Sequence, residues 1–389
     1  MDKIKLPIAI GIIVDDVGWH DGSDGRMQNM PARSGLPRFH HPDDVRALNA
    51  IGKGLNTKIV CSLVLAEWDR NNVLRGAEGI VPDHVNWDQA SKIDLEYTQR
   101  YFEALEESEY LDYSLHGIFH AFYENGRLNT ARQYYPNTYD ENGNINGYRW
   151  HSPEKFEQMI SLFFEIYNDW GFKKKITKFV SPCGCWGTPE SEGNIAYAKI
   201  LRKHGITSWN NSWAEFSEPV GFVDGIITAK GNNITAWNAY DVDPDYLVPL
   251  TEEDPDGVVS AHYCGHLTNF IRYNYQKNFE YVDKWVRYFK KYEKFGIEIA
   301  RDVDSANSQM AYSRLARLSK EGDCYLIDLT AVDAVGAPGI QDSFLVSFAG
   351  DFKPELLTGG ASIEEYSAGD GYRTYKITRG GNSIIRIKL

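Results

Sequence analysis

Residues 7–14 (PIAIGIIV) are apolar at nearly every position, and the run ends on two aspartates. Similar β-rich apolar runs recur at residues 57–65, 110–118, 176–181, 206–209, 225–228, 257–261 and 296–300. They are continuous rather than alternating, which is the pattern of strands buried on both faces of a parallel sheet. Helical-period segments lie between them at residues 93–105, 153–167, 189–204 and 278–295. Strands alternating with helices over this length predict a distorted (β/α) barrel of seven or eight parallel strands.

Beyond about residue 320 the pattern changes. CYLIDLTAV, SFLVSFA, YRTYKITR and SIIRIKL alternate like half-exposed antiparallel strands, with Gly359-Gly360 and Gly380-Gly381 as turns. The expected organisation is a barrel domain over residues 1–318 and a small β-sandwich-like domain over 319–389, behind a helix at 305–318. No aromatic cluster marks a binding face in the second domain, so it reads as a cap.

Composition narrows the partners. Net charge is −13 and no basic stripe appears, which excludes a nucleic-acid surface. No run approaches the ~18 apolar residues of a membrane span. The start of the chain lacks a secretory pattern, which leaves the cytoplasm and export with a removed leader as alternatives. The five cysteines are scattered and read as reduced thiols. Aromatics reach 13% with 24 Tyr and 10 Trp. That content fills cores, and it also suits sugars, which stack on rings and hydrogen-bond at their edges.

In such a barrel the chemistry sits where strands end. The first strand ends at Asp15-Asp16, and burying two carboxylates without partners would cost several kcal/mol each. A metal ion and a proton-accepting role would each justify one. The third candidate strand runs into His116 and His120. Along an extended strand that spacing covers ~13 Å, too far for one ion, so the strand must give way to a turn. The turn would bring both imidazoles onto one ion beside Asp16, leaving positions open for water. Other strand ends carry Ser181 to Gly184, Trp209 to Asn211, and His262, followed by His266.

These residues resemble the motifs of the polysaccharide deacetylase family, the NodB-homology carbohydrate esterases. Val14-Asp15-Asp16-Val17-Gly18 is similar to its first motif and His116 to His120 to its second. Val180 to Gly184 and Val258 to His262 follow in the family's order, and the likeness spans roughly residues 5–303. The resemblance implies zinc or a similar divalent ion on Asp16, His116 and His120, Asp15 as general base, and His262 as general acid. It also implies an oxyanion-binding N–H at Cys183. The expected substrate is an acetylated carbohydrate, with Trp19, His20, Trp209 and His266 as further substrate-side candidates.

Departures from the family pattern are plain. Its base-orienting arginine is Val180 here, and its fourth motif falls on Trp209-Asn210-Asn211-Ser212-Trp213, which carries amides. The long stretch between Asp16 and His116 contains His20, Asp21, Asp24, His40 and His41, a polar loop expected to wall the substrate site with His20 exposed. Other readings keep the barrel but hydrolyse another amide, or cleave glycosides with Asp15 and Asp243 or Asp302. A catalytically inactive carbohydrate-binding protein is a third class.

Overall fold

The computed structural model describes residues 3–23, 31–211, 219–236, 238–249, 261–350, 352–369 and 371–389. Seven strands form the barrel: β1 (Ala9–Val17), β2 (Ile59–Val64), β3 (Leu111–Gly117), β4 (Lys178–Val180), β5 (Ser208–Asn211), β6 (Ile226–Asn233) and β7 (His262–His266). Each pairs in parallel with its successor, and β7 pairs with β1, so the sheet closes. An eighth, two-residue strand, β8 (Glu298–Ile299), lies beside the start of β1. The apolar runs therefore became strands because a closed parallel sheet offers no wet face. Of the expected strand at 257–261, only Ala261 falls within the described residues.

The longer helices among the described residues are α1 (Pro42–Leu55), α2 (Leu95–Glu106), α3 (Pro153–Trp170), α4 (Glu192–Lys203), α5 (Val282–Lys290) and α6 (Val303–Leu315). Ile10, Ile12 and Val14 of β1 face the main core, whereas Ile13 meets Val60, Val180 and Cys264 in a separate cluster. Val303 of α6 completes that cluster. Asp304 and Asp112 share Lys178 at 2.8 Å each, and Asn307 reaches Asn210 at 2.8 Å. Lys178 and Ser208, the latter 3.5 Å from Asp304, are the first residues of β4 and β5, so the start of α6 stoppers the end of the barrel where those strands begin.

Helix α1 was not anticipated and follows directly on the polar residues His40 and His41. His41 caps it, accepting from Asp43 N while its own N–H donates to Asp44 Oδ2 at 2.7 Å. Val45, Leu48, Ile51 and Leu55 then bury one stripe, which pins the helix to the core.

Two four-stranded antiparallel sheets form the β domain. One joins Ser343–Ala349, Tyr372–Thr378 and Ser362–Gly369 to Ile4–Lys5 near the start of the chain. The other joins Arg317–Glu321, Cys324–Asp328, Ile384–Lys388 and Glu355–Leu356. Their shared core holds Ile4, Phe344, Val346, Phe348, Ile377 and Ile387, with Tyr312 of α6 stacked on Phe344.

Candidate metal centre

Strand alternation alone would send Asp15 and Asp16 to opposite faces. The chain avoids this: Asp16 takes a left-handed φ of 62°, and the β1–β2 register slips between Val14 and Val17. Asp15 then lines a cavity of about 490 Å³ while Asp16 is fully buried beneath it.

His116 and His120 come from the end of β3. His116 is positioned by main chain: its Nδ1–H donates to the Val180 carbonyl at 2.7 Å, which fixes the tautomer and leaves Nε2 for the site. His120 sits at a left-handed φ of 50° on a turn clamped by Gln133. The Gln133 Oε1 accepts the backbone N–H groups of Ile118, Phe119 and His120 at 2.9, 3.1 and 3.1 Å. A Cβ on Gly117 would approach that oxygen at 2.7 Å, so the clamp needs glycine there.

The Asp16 Oδ1 lies 3.5 Å from His116 Nε2 and 3.4 Å from His120 Nε2. Those spacings are long for hydrogen bonds, but two atoms bound ~2.1 Å from one tetrahedral ion lie about 3.4 Å apart. Both Asp16 oxygens and His116 Nε2 are buried with no hydrogen-bond partner among the described residues. One donor atom from each residue falls within 4.8 Å of the others, so the trio fits a metal ion. Burial opposes ionisation of Asp16, but His120, His116 and His266 outweigh it and hold the carboxyl far below its usual range. Burial likewise opposes the His116 imidazolium, and Asp16 and Asp15 more than reverse that.

The two histidines of β7 exchange places relative to expectation. His262 was expected at the rim, on the premise that a strand ends there. Instead β7 runs on to His266, with His262 opposite Gly11 and His266 opposite Asp15. Four residues is an even step, so both rings point inward and His262 sits ~13 Å deeper. His262 is fully buried, with neither ring nitrogen hydrogen-bonded among the described residues, and burial pushes it down to about 3. Gly231 makes room for its ring, since a Cβ there would meet Nε2 at 2.3 Å. His266 lines the cavity, 3.6 Å from Asp16 Oδ2.

Cys183 also lines the cavity, at a left-handed φ of 53° on a turn in which Gly184 N–H donates to the Ser181 carbonyl. Asp16, His120 and Cys183 thus share a conformation that side chains rarely adopt, and such strain collects at functional sites.

The other substrate-side candidates lie in the protein interior. Trp209 packs on Phe179 in the core. Trp19 lies under the Arg33 guanidinium and against Phe119. His20 is buried rather than exposed, its N–H donating to Glu67 and its ring beside Thr98 and Tyr97. His40 is buried on Ser34, and His41 stacks on Tyr275. Among the described residues of this loop none lines the cavity, and Arg33 and His20 are engaged with Glu67 instead. Asp24, Ser212, Trp213 and the side chain of Asn211 lie outside the described residues.

The wall comes from residues 122–148, which the sequence reading left unassigned. Two hairpins, Phe122–Glu124 with Arg127–Thr130 and Asn137–Tyr139 with Ile145–Tyr148, bring Leu128, Asn129, Arg132, Ile145 and Tyr148 to the cavity. The Asn142-Gly143 pair between Tyr139 and Ile145 was the available signal. Asp15 is the only carboxylate on the cavity lining among the described residues. Asp243 instead pairs with Lys284 at 2.7 Å, and Asp302 caps α6 at the closed end of the barrel. No described helix is long and apolar enough to cross a membrane.

Comparison with known proteins identifies no relative: no family model, curated protein or solved structure matches the chain.

Proposed function

We propose that the chain is a divalent-metal-dependent hydrolase that removes N-linked acetyl groups from a carbohydrate. The observation that carries this reading is the Asp16–His116–His120 trio, spaced for one ion, at the floor of a cavity on which Asp15 and His266 both open. Three N/O ligands with room for water are the donor set of a catalytic zinc site. A zinc ion bound there supplies Lewis acidity and a water of lowered pKa.

The remaining work belongs to side chains. Asp15 Oδ1 has no hydrogen-bond partner among the described residues, so it is placed to take a proton from water entering the cavity. His266 Nε2 delivers a proton to the departing amine nitrogen, the role that the resemblance and an expected strand end gave to His262. The Cys183 turn lines the same cavity, which supports a backbone N–H there as the oxyanion donor. Leu128, Ile145 and Tyr148 give the cavity an apolar side against which a sugar could lie. At the position of the family's arginine, Val180 contributes its carbonyl to His116 instead, and no arginine is hydrogen-bonded to Asp15 among the described residues.

Elemental analysis combined with acetate release from N-acetylated oligosaccharides tests the proposal. Wild type should hold one divalent ion per chain and release acetate. D16A should lose both, and D15N should keep the ion while turnover falls ~10²-fold or more. Metal-free protein from chelator-free buffers, or an active D15N, overturns it.

A further inference from the structure

The cavity contains a cation that the proposed chemistry leaves unused. Arg132 lines it together with Asp15, His116 and His266. Its guanidinium lies over the Tyr148 ring at 4.3 Å, and Nη1 donates to the Cys185 carbonyl at 2.9 Å. Elsewhere Arg33, Arg38, Arg70 and Arg149 each hold a carboxylate. Arg132 has no acidic partner among the described residues, although the chain carries 54 acidic side chains and a net charge of −13. Glu124, on the neighbouring hairpin, is taken by Arg149 and Asn129.

We infer that Arg132 is a specificity-determining residue, and that the substrate carries a carboxylate on or beside the acetylated sugar. This rests on the deacetylase reading of the same site. A stacked guanidinium is a rigid fork whose parallel N–H donors match the two oxygens of a carboxylate. The Tyr148 ring and the Cys185 carbonyl orient the fork before substrate arrives, which lowers the entropy lost on binding. An anion held by Arg132 lies in the same cavity as Asp15. The carboxylate therefore selects the sugar, and the metal centre selects the bond.

Hyaluronan tetrasaccharide, which alternates glucuronate with N-acetylglucosamine, and neutral chitotetraose are the probes. With zinc-loaded wild type, kcat/KM should favour the acidic substrate. The acidic-to-neutral ratio should fall about tenfold or more in R132Q, the scale of one hydrogen bond to a charged group. R132K, which keeps the charge but loses the fork, should restore part of it. A parallel fall for both substrates would make Arg132 a strut between the hairpins and the Cys185 segment and overturn the inference. So would acetate release from both substrates with no acidic preference, although deacetylation would then stand. Calorimetric titration with glucuronate separates the two readings. Binding that R132Q abolishes, without acetate release from either tetrasaccharide, keeps the carboxylate subsite and rejects deacetylation. Glucuronate binding that is equal in wild type and R132Q rejects the subsite.

Discussion

Replacing Gln133 with leucine should weaken the metal site without touching a ligand. The side chains are similar in size, but leucine has no acceptor for the N–H groups of Ile118, Phe119 and His120, all now bonded to one oxygen. These residues are buried, so each orphaned donor costs about 1 kcal/mol or more, and the set about 3 kcal/mol. The turn can relieve that cost only by rotating its amides, which carries His120 away from Asp16 and His116. Three kilocalories correspond to about a 10²-fold change in an equilibrium constant, so zinc affinity should fall by up to ~10²-fold. Competition against a chromophoric chelator measures it. Q133E keeps an acceptor oxygen for the three N–H groups, which offset part of the cost of its buried charge, so that variant should lose less zinc affinity than Q133L. Zinc affinity in Q133L indistinguishable from wild type refutes the reasoning, as does an equal loss in Q133E.

H266N should keep its metal and lose turnover by ~10²-fold, less for substrates with good leaving groups, whereas H262L should retain turnover and gain stability because two orphaned ring nitrogens disappear. Rates that respond to H262L and not to H266N would return the acid role to His262. Burial holds His40 and His151 at about 4 against 6.5 for a free imidazole. Below pH 6.5 the unfolded chain takes up these protons and the folded one does not, so stability is full above that pH and falls as acid is added towards pH 4. The loss is ~2 kcal/mol per histidine by pH 5, and urea midpoints in an H40Q/H151Q variant should show a flatter acid limb. An unchanged limb rejects the assignment.

The barrel was legible because each of its strands is buried on both faces, which writes β1 and β2 as nearly uninterrupted apolar runs. Asp15, Asp16, His116 and His120 were legible because each pair is local and interrupts such a run. The choice between His262 and His266 was not, since an even step sends both rings inward and only the strand's extent ranks them. Gln133 and Arg132 act from irregular backbone between the hairpins, where no periodicity announces a contact. His20 misled for the opposite reason: a histidine in a polar stretch reads as exposed unless distant partners such as Glu67 and Thr98 are known. Helix α1 did carry its own signals, Pro42 at the first turn, Asp43 and Asp44 behind it, and an apolar stripe.

The pairing of Ile4 with Phe348 also governs the order in which the molecule can be assembled. A chain emerging from the ribosome starting with its first residue offers Ile4 long before the strand that receives it exists. Barrel strands can recruit neighbours as they appear, since each pairs with the next in sequence. The sandwich cannot close until Tyr372–Thr378 has been made, because that strand flanks Ser343–Ala349 on its other side. Until then Ile4 and Tyr312 stay uncovered, an apolar surface open to chaperones or to a second unfinished chain. The β domain therefore works as a clasp that joins a segment made before the barrel to strands made after it, so the chain leading into β1 is held only once those strands exist.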